Sequence, residues 1–270
     1  MGLDLDRRQR AMLQEMGVRV WWPEGPATDH APAPPLPTTV ATISEGRAAP
    51  APAAPAAPVQ LQDRPAGIET MPWPQLQAAV AGCRACKLCG SRRNTVFGVG
   101  PDGGGTAAPE VDWMVVGEAP GENEDIQGEP FVGQAGKLLD AMLQAIGLQR
   151  RGGSRGVFIT NVLKCRPPGN RNPEPDEIAQ CEPYLRRQIE LLQPRIVLAV
   201  GRFAVQSLLQ GSVPDVQSQP LGRLRGKVYR YHGVPVVVSY HPAYLLRSLA
   251  DKSKAWADLC LALEVMQGEA

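Results

Sequence analysis

The stretch VDWMVVGEAPG, from Val111 to Gly121, decides the fold class of this 270-residue chain. Its first half is a short apolar run that stops at Gly117, which is typical of a strand buried on both faces. Similar runs recur along the chain and are separated by segments with helical spacing. The strand-like segments cover 111–116, 157–162, 195–200, 227–231 and 235–240, and the helix-like ones 134–147, 175–192, 202–209 and 253–266. This alternation predicts an α/β fold, a single three-layer domain with a mostly parallel central sheet flanked by helices.

Composition divides the chain into three parts. Between Ala31 and Gly67, 20 of the 37 residues are Ala or Pro, and such a segment has too few bulky apolar side chains to offset its ordering entropy. We therefore predict a short amphipathic peptide at 1–25, a disordered linker at 26–67 and one folded domain at 68–270.

Overall composition excludes several classes of protein. The net charge is +1, so any contact with nucleic acid has to come from local basic patches. The sequence contains no apolar run of about 18 residues and no secretory signal, which predicts no membrane span and a cytoplasmic location. Six cysteines in such a chain indicate free thiols or a metal site. We expect the chain to be a monomer.

Polar residues follow the predicted strands at their carboxyl ends. Glu118 comes after the first strand, Asn161 ends the second, and His241 follows the last. Ligands of open α/β sheets bind outside the carboxyl ends of the strands. The sequence therefore predicts a site at this edge of the sheet.

The cysteines form a second pattern. Cys83, Cys86 and Cys89 are separated by two residues each, and Cys165 and Cys181 follow later in the chain. A Cys-x-x-Cys pair offers two thiolates to one metal group, and a second pair completes a four-thiolate site. Zinc and a [4Fe–4S] cluster both suit four thiolates, and Cys89 competes for one of the ligand places.

Three segments carry a resemblance to a known family. VVGEAPGENEDIQGEPFVGQAGKLL (115–139), ITNVLKCRPPGNRNP (159–173) and SYHPAYLLR (239–247) resemble the three motif blocks of the family 4 uracil-DNA glycosylases. The resemblance spans roughly 82–263. It implies a monofunctional hydrolase that breaks the N-glycosidic bond of deoxyuridine in DNA, releases uracil, leaves an abasic site and so initiates base excision repair. It also implies a structural [4Fe–4S] cluster whose ligands match Cys83, Cys86, Cys165 and Cys181, without Cys89.

The resemblance implies roles for residues around a flipped base. Phe131 would stack on uracil, Asn161 would pair with O4 and N3–H, and His241 would donate a hydrogen bond to O2 as negative charge develops there. Glu124 matches a position near uracil C5, where it would exclude the methyl group of thymine. Each of these residues also has an ordinary structural interpretation as a core aromatic, a buried cap or a loop side chain.

The loop after the first strand is expected to hold the base and the attacking water. Ala119 occupies the position at which classical uracil glycosylases carry a water-activating aspartate, so no general base is evident there. Glu118 is either a solvated loop carboxylate or the residue that positions the water. Catalysis is then expected to depend mainly on stabilising the leaving base.

Local charge and apolar side chains are expected to bind the DNA. Leu245 and Leu246 are predicted to be exposed and to fill the space that the flipped base leaves, while Arg247 binds the backbone. The basic residues around the second block, which can neutralise phosphates, are Lys164, Arg166 and Arg171.

Two further hypotheses concern partners and alternatives. The segment RRQRAMLQEMGVRVW (7–21) resembles the N-terminal peptide by which the psi subunit of bacterial DNA polymerase III binds the clamp loader. Residues 4–23 are thus either a docking peptide for the replication machinery or a helix that packs on its own domain. The alternative functions are a non-catalytic iron–sulfur DNA-binding module and a relative with an altered base range. A relative that traps the sugar covalently is disfavoured, because PPGNRNPEPDE (167–177) lacks histidine.

Overall fold

The computed structural model describes residues 61–101, 108–151 and 156–268. The strands are β1 Val111–Gly117, β2 Gly156–Asn161, β3 Ile196–Val200, β4 Val228–Tyr231 and β5 Val234–Ser239. The helices are α1 Trp73–Gly82, α2 Glu122–Gln127, α3 Gln134–Ala145, α4 Pro175–Leu192, α5 Arg202–Leu209, α6 Leu221–Leu224, α7 Pro242–Leu245 and α8 Lys252–Gln267. Short 3₁₀ turns cover Ile68–Thr70, Lys87–Gly90, Pro168–Asn170 and Leu249–Asp251.

The five strands form one sheet in the order β2-β1-β3-β5-β4. Strands β2, β1, β3 and β5 run parallel to one another, and β4 pairs antiparallel with β5 through a tight hairpin. This arrangement confirms the predicted mostly parallel sheet.

The sheet lies between two helical layers. Along β1, Trp113 and Val115 point into one apolar core with α3 and α8, whereas Met114 and Val116 point into a second core with α4 and α5. A central strand that is buried on both faces needs apolar residues at every position, which explains the continuous runs in the sequence. The three-layer prediction is thereby confirmed.

The chain before α1 is bound to the domain. Pro183 lies inside α4 and has no N–H, so the carbonyl of Ala179 four residues earlier has no helical donor. The Arg64 guanidinium donates to that carbonyl at 3.2 Å, and the Gln62 N–H donates to the Arg84 carbonyl at 3.0 Å. Residues 61–67, which the sequence assigned to the linker, therefore contact the folded domain.

The register of the strands brings the predicted site together. Gly117 at the end of β1 pairs with Asn161 at the end of β2, and Val200 pairs with Ser239 two residues before His241. Within the part of the chain that the structure describes, no helix combines the length and apolar character needed to span a membrane. The predicted peptide at 4–23 and the linker up to residue 60 lie outside the described residues.

Candidate active site

A cleft of about 480 Å³ opens at the carboxyl ends of the strands. The residues lining it are Glu118, Ala119, Pro120, Gly121, Glu124, Phe131, Ala135, Asn161, Pro167, Asn170, Arg171, His241, Ala243, Tyr244 and Arg247. The structure thus brings together the residues that the sequence predicted for base binding and catalysis.

Asn161 lines this cleft, and one polar atom of its side chain has no partner in the described part of the chain. Its side chain is buried, and its Oδ1 has no hydrogen-bond partner among the described residues. A Cβ atom at Gly117 would lie 2.4 Å from that oxygen, so glycine is required beside it. Because leaving a buried polar atom unpaired costs about 1–3 kcal/mol, this oxygen is an acceptor available to a bound ligand.

Phe131 forms an apolar wall of the cleft. It is buried, and its backbone has φ 53°, a left-handed conformation that is rare outside glycine. Such a backbone costs roughly 1–3 kcal/mol and persists only where the surroundings impose it. The ring stacks on the His241 imidazole with the centroids 5.5 Å apart and an interplanar angle of 29°.

His241 caps α7 and is held in one tautomer. Its Nδ1 accepts a hydrogen bond from the Ala243 N–H at 3.2 Å, which assigns the ring proton to Nε2. Burial, with the nearby positive charge of Arg247, lowers the pKa of His241 to about 4. The imidazole is therefore neutral near pH 7 and can donate one hydrogen bond from Nε2.

Glu118 and Ala119 follow β1 directly. Burial raises the pKa of Glu118 to about 7, so its protonated and ionised forms are both populated near neutral pH. Ala119 lines the cleft and also packs against the cysteine-rich cluster behind it. The first loop therefore presents one carboxyl group, from Glu118, with no carboxylate at the next position.

Glu124 lines the cleft, but its carboxylate binds the protein backbone. Oε2 accepts from the Gly121 N–H at 3.0 Å, and Oε1 accepts from the Val132 and Gly133 N–H groups at 2.9 and 3.0 Å. These three bonds join the loop after β1 to the turn that carries Phe131. The contact of Glu124 with uracil C5 stays a prediction. In the structure, the Glu124 carboxylate holds the loop after β1 against the turn that carries Phe131.

The two leucines after His241 differ from each other. Leu246 is 42% exposed, as predicted, whereas Leu245 is completely buried in the core shared by α3 and α8. The prediction of an exposed Leu245 is wrong because α7 is a single turn that directs successive side chains to different faces. Arg247 lines the cleft, and Tyr244 lies beside it with its hydroxyl donating to Asp251 Oδ2 at 2.6 Å.

Lys164 is also not the surface cation that the sequence indicated. It is buried, and its ammonium donates to Thr160 Oγ1, the Asn161 carbonyl and Gln188 Oε1 at 2.7, 2.8 and 2.7 Å. All three of its donors are used inside the protein, so it cannot reach a phosphate.

The two arginines of the second block both have protein partners. Arg166 Nε donates to Asn170 Oδ1 at 2.7 Å, and its Nη1 lies 3.6 Å from Glu122. Arg171 lines the cleft, with its guanidinium paired to the buried Glu177 carboxylate at 2.5 and 2.9 Å. These bonds order the loop beside the cleft. Sequence reasoning assigned no role to Asn170 or Tyr244, although both lie within motif blocks and both line the cleft.

A second cavity lies behind the first loop and is lined by five thiols. They belong to Cys83, Cys86, Cys89, Cys165 and Cys181. The Arg92 guanidinium donates to Cys165 Sγ at 3.0 Å and to the Cys83 carbonyl at 2.7 Å. No three Cys, His, Asp or Glu side chains within 61–101, 108–151 and 156–268 form a site for a single metal ion. A pocket lined by five thiols, with the Arg92 guanidinium beside one of them, suits a cofactor that binds each thiolate through a different metal atom.

Comparison with known proteins places the chain in a family. The family model described as "Uracil DNA glycosylase superfamily" matches residues 105–260, more than half of the chain. A type-4 uracil-DNA glycosylase of Archaeoglobus fulgidus is 44% identical over 171 residues, which cover 62% of this chain and 79% of that protein. A type-4 enzyme of Pyrobaculum aerophilum is 40% identical over 191 residues, covering 69% and 91%.

A more distant likeness links the chain to a sister type. A type-5 uracil-DNA glycosylase of Pyrobaculum aerophilum is 34% identical over 143 residues, covering 49% of this chain and 61% of that protein. Both the identity and the coverage are lower than for the type-4 proteins. With the cleft at the sheet edge and the thiol-lined cavity behind it, the chain belongs to the type-4 uracil-DNA glycosylases of the uracil DNA glycosylase superfamily.

Proposed function

We propose that this protein is a uracil-DNA glycosylase, a hydrolase that removes uracil from DNA and leaves an abasic site for base excision repair. The observation that carries the proposal is the buried, unpartnered Oδ1 of Asn161 in a cleft that also presents Phe131 and a neutral His241. The family membership supports the same reaction.

The base is recognised by shape and by hydrogen bonds. A uracil that has left the DNA stack lies against the Phe131 ring, with Asn161 Oδ1 accepting from N3–H and the Asn161 amide donating to O4. Cytosine carries an acceptor at N3 and a donor at the 4-position. It would leave both polar groups of Asn161 unpaired in a buried site, which disfavours its binding.

The bond is broken by stabilising the departing base. As the N-glycosidic bond lengthens, negative charge accumulates on uracil and the sugar becomes cationic. His241 Nε2–H is the donor that we assign to uracil O2, where it favours that charge. The imidazole does so as a neutral group because burial and Arg247 lower its pKa to about 4.

Water is directed to the sugar by the first loop. We assign that role to Glu118, whose pKa of about 7 lets its ionised form accept a proton from water near neutral pH. Ala119 leaves space beside the base and supplies no second carboxylate. Most of the rate enhancement is therefore assigned to stabilisation of the leaving uracil.

The thiol-lined cavity is proposed to hold a [4Fe–4S] cluster on Cys83, Cys86, Cys165 and Cys181. Zinc requires four sulfurs at about 2.3 Å from one ion, whereas a cluster binds each cysteine through a different iron. Among the described residues no three of these thiols are grouped as ligands of a single metal ion, which favours the cluster. When bound, it supplies iron–thiolate bonds that tie the cysteine loop to the segment after β2 and to α4.

Iron content tests this ligand set. Cys181→Ala is expected to lose most of its iron, while Cys89→Ala keeps the wild-type iron content and the visible absorption of the cluster. Equal iron in both variants would contradict the assignment, and zinc in place of iron in anaerobically purified protein would overturn the cluster.

DNA is expected to cross the cleft with Leu246 in the space left by the base and Arg247 near the backbone. Arg166 is proposed to contact phosphate through the guanidinium N–H groups that Asn170 and Glu122 leave unused. We further propose that the protein acts as a monomer and works on the chromosome in the cytoplasm.

Residues 4–23 are proposed to dock on the clamp loader and to take no part in catalysis. Deletion of residues 1–60 should leave uracil release from short oligonucleotides unchanged. Loss of that release would contradict a docking role separate from the reaction.

The function is tested by incubating anaerobically purified protein with an oligonucleotide that contains one uracil and then cleaving abasic sites with alkali. Matched oligonucleotides with thymine or cytosine at that position serve as controls. Strand cleavage at uracil alone is the expected result. Cleavage at another base would indicate an altered base range, and DNA binding without any base release would favour the non-catalytic binding module.

A further inference from the structure

The turn that carries Phe131 is fixed by an arginine outside the three motif blocks. Two successive carbonyls of this turn point toward Arg150: its Nη1 donates to the Pro130 carbonyl at 2.5 Å and its Nη2 to the Phe131 carbonyl at 2.7 Å. Phe131 has φ 53°, and the bonded carbonyls hold its backbone in that conformation. The side chain of Arg150 thus binds the strained residue directly.

Arg150 is itself held in place. Its Nε and Nη2 donate to Asp140 Oδ1 on α3 at 3.0 and 2.9 Å, and its side chain is only 14% exposed. The neighbouring Arg151 is different, because its side chain is 63% exposed and pairs with Glu129 at the surface. A planar guanidinium that bonds two carbonyls and a carboxylate fixes both the distance and the angle between α3 and the turn.

The other side of the turn is closed as well. A Cβ at Gly136 would lie 1.7 Å from the Phe131 carbonyl oxygen, so the first turn of α3 packs directly against that carbonyl. The N–H groups of Val132 and Gly133 are bound by the Glu124 carboxylate. Arg150 therefore binds the Pro130 and Phe131 carbonyls, and Glu124 binds the next two amides. Hydrogen bonds thus fix the backbone of the turn on both sides.

We propose that Arg150, held by Asp140, is a positioning residue that sets the plane of the Phe131 ring against the bound base. This inference rests on the proposed function, because the ring has to be a stacking surface for uracil. Arg150 acts through the backbone of Phe131 and touches neither base nor sugar. Its loss therefore weakens base binding and bond cleavage while the contacts with the DNA backbone remain.

The experiment compares Arg150→Gln and Arg150→Lys with Arg151→Gln as the matched control. For each full-length protein, the readouts are single-turnover uracil release, inhibition by free uracil, binding to abasic-site DNA and the melting temperature. Arg150→Gln should slow release and raise the inhibition constant for uracil by about 10- to 100-fold, the usual effect of an ångström-scale misplacement. Arg150→Lys should recover part of this loss, and Arg151→Gln should match wild type.

The combination of readouts separates positioning from general destabilisation. Unchanged uracil inhibition in Arg150→Gln, or weakening of abasic-site binding in proportion to the loss of activity, would overturn the inference. If Arg150→Gln does not fold, Asp140→Ala removes the oxygen that accepts from the guanidinium on one side and should give the same changes on a smaller scale; wild-type behaviour there would also overturn it. Absence of uracil release from the wild type would instead refute the proposed function, and with it this inference.

Discussion

Replacement of Asn161 by leucine should separate stability from activity. The Asn161 Oδ1 is buried and accepts no hydrogen bond from the described residues, so Asn161→Leu removes none of the protein's hydrogen bonds to that oxygen and nearly keeps the shape of the side chain. The free energy of unfolding should therefore stay the same or rise. In the complex, uracil O4 and N3–H would both lose their partner, about 2–6 kcal/mol together, which lowers the single-turnover excision rate by roughly 30- to 10⁴-fold.

The assay pairs urea denaturation with single-turnover uracil release for the same preparation. Asn94→Leu is the control, because the Asn94 amide donates to the Asp125 and Ile126 carbonyls at 2.8 and 3.0 Å and should be needed for stability. That variant should unfold more easily and yet excise uracil while folded. Destabilisation of Asn161→Leu to the same degree as Asn94→Leu, or excision at the wild-type rate, would refute the reasoning.

Three further changes have expected outcomes. Gly117→Ala places a Cβ 2.4 Å from the unpartnered amide oxygen, so uracil release should fall by at least about 100-fold, whereas Gly211→Ala, whose Cβ meets nothing within 4 Å, should match wild type in the same assay. Burial raises the pKa of Glu118 to about 7, so its ionised fraction and the rate of uracil release should rise between pH 6 and 8. The rate of Glu118→Gln should not change over this range. Parallel pH profiles for the two proteins would contradict the role of Glu118. Leu245→Ala should lower the free energy of unfolding by about 2–5 kcal/mol, while Leu246→Ala should change it by less than about 0.5 kcal/mol and weaken excision from duplex DNA; equal unfolding midpoints would refute the distinction.

The sheet and its main helices could be predicted because their patterns are local. The segments at 175–192 and 202–209 form helices over exactly the same residues, and the apolar run from Val111 forms β1 as far as Gly117. A strand that contacts a core on each face leaves a continuous apolar run, and a helix that covers a sheet leaves a spacing near 3.6 residues. Helix α1, at Trp73–Gly82, was missed because its start lies beside an Ala- and Pro-rich stretch.

The sequence predicted those site residues whose chemical type and position at a strand end are visible in it. Asn161 ends β2 and His241 follows β5, and the parallel register brings both to one edge of the sheet. The role of Arg150 has no such mark, since it depends on two backbone carbonyls near Phe131 that only the folded chain brings within reach.

Burial of individual side chains could not be predicted for the same reason. Lys164 looks like a DNA-binding cation in the sequence, but Gln188, 24 residues later, helps to bind its ammonium inside the protein. Leu245 and Leu246 are identical residues in adjacent positions, and the direction of one helical turn decides which of them is buried. Such outcomes depend on tertiary contacts that no window of sequence contains.

The most direct test of the account is to measure, under single-turnover conditions, the bases that the iron-loaded wild-type protein releases from otherwise identical oligonucleotides. The account predicts free uracil and an alkali-labile site from the uracil strand, with neither from strands that carry thymine or cytosine. Intact uracil strands after incubation with iron-replete protein, or equal release of thymine, would contradict it.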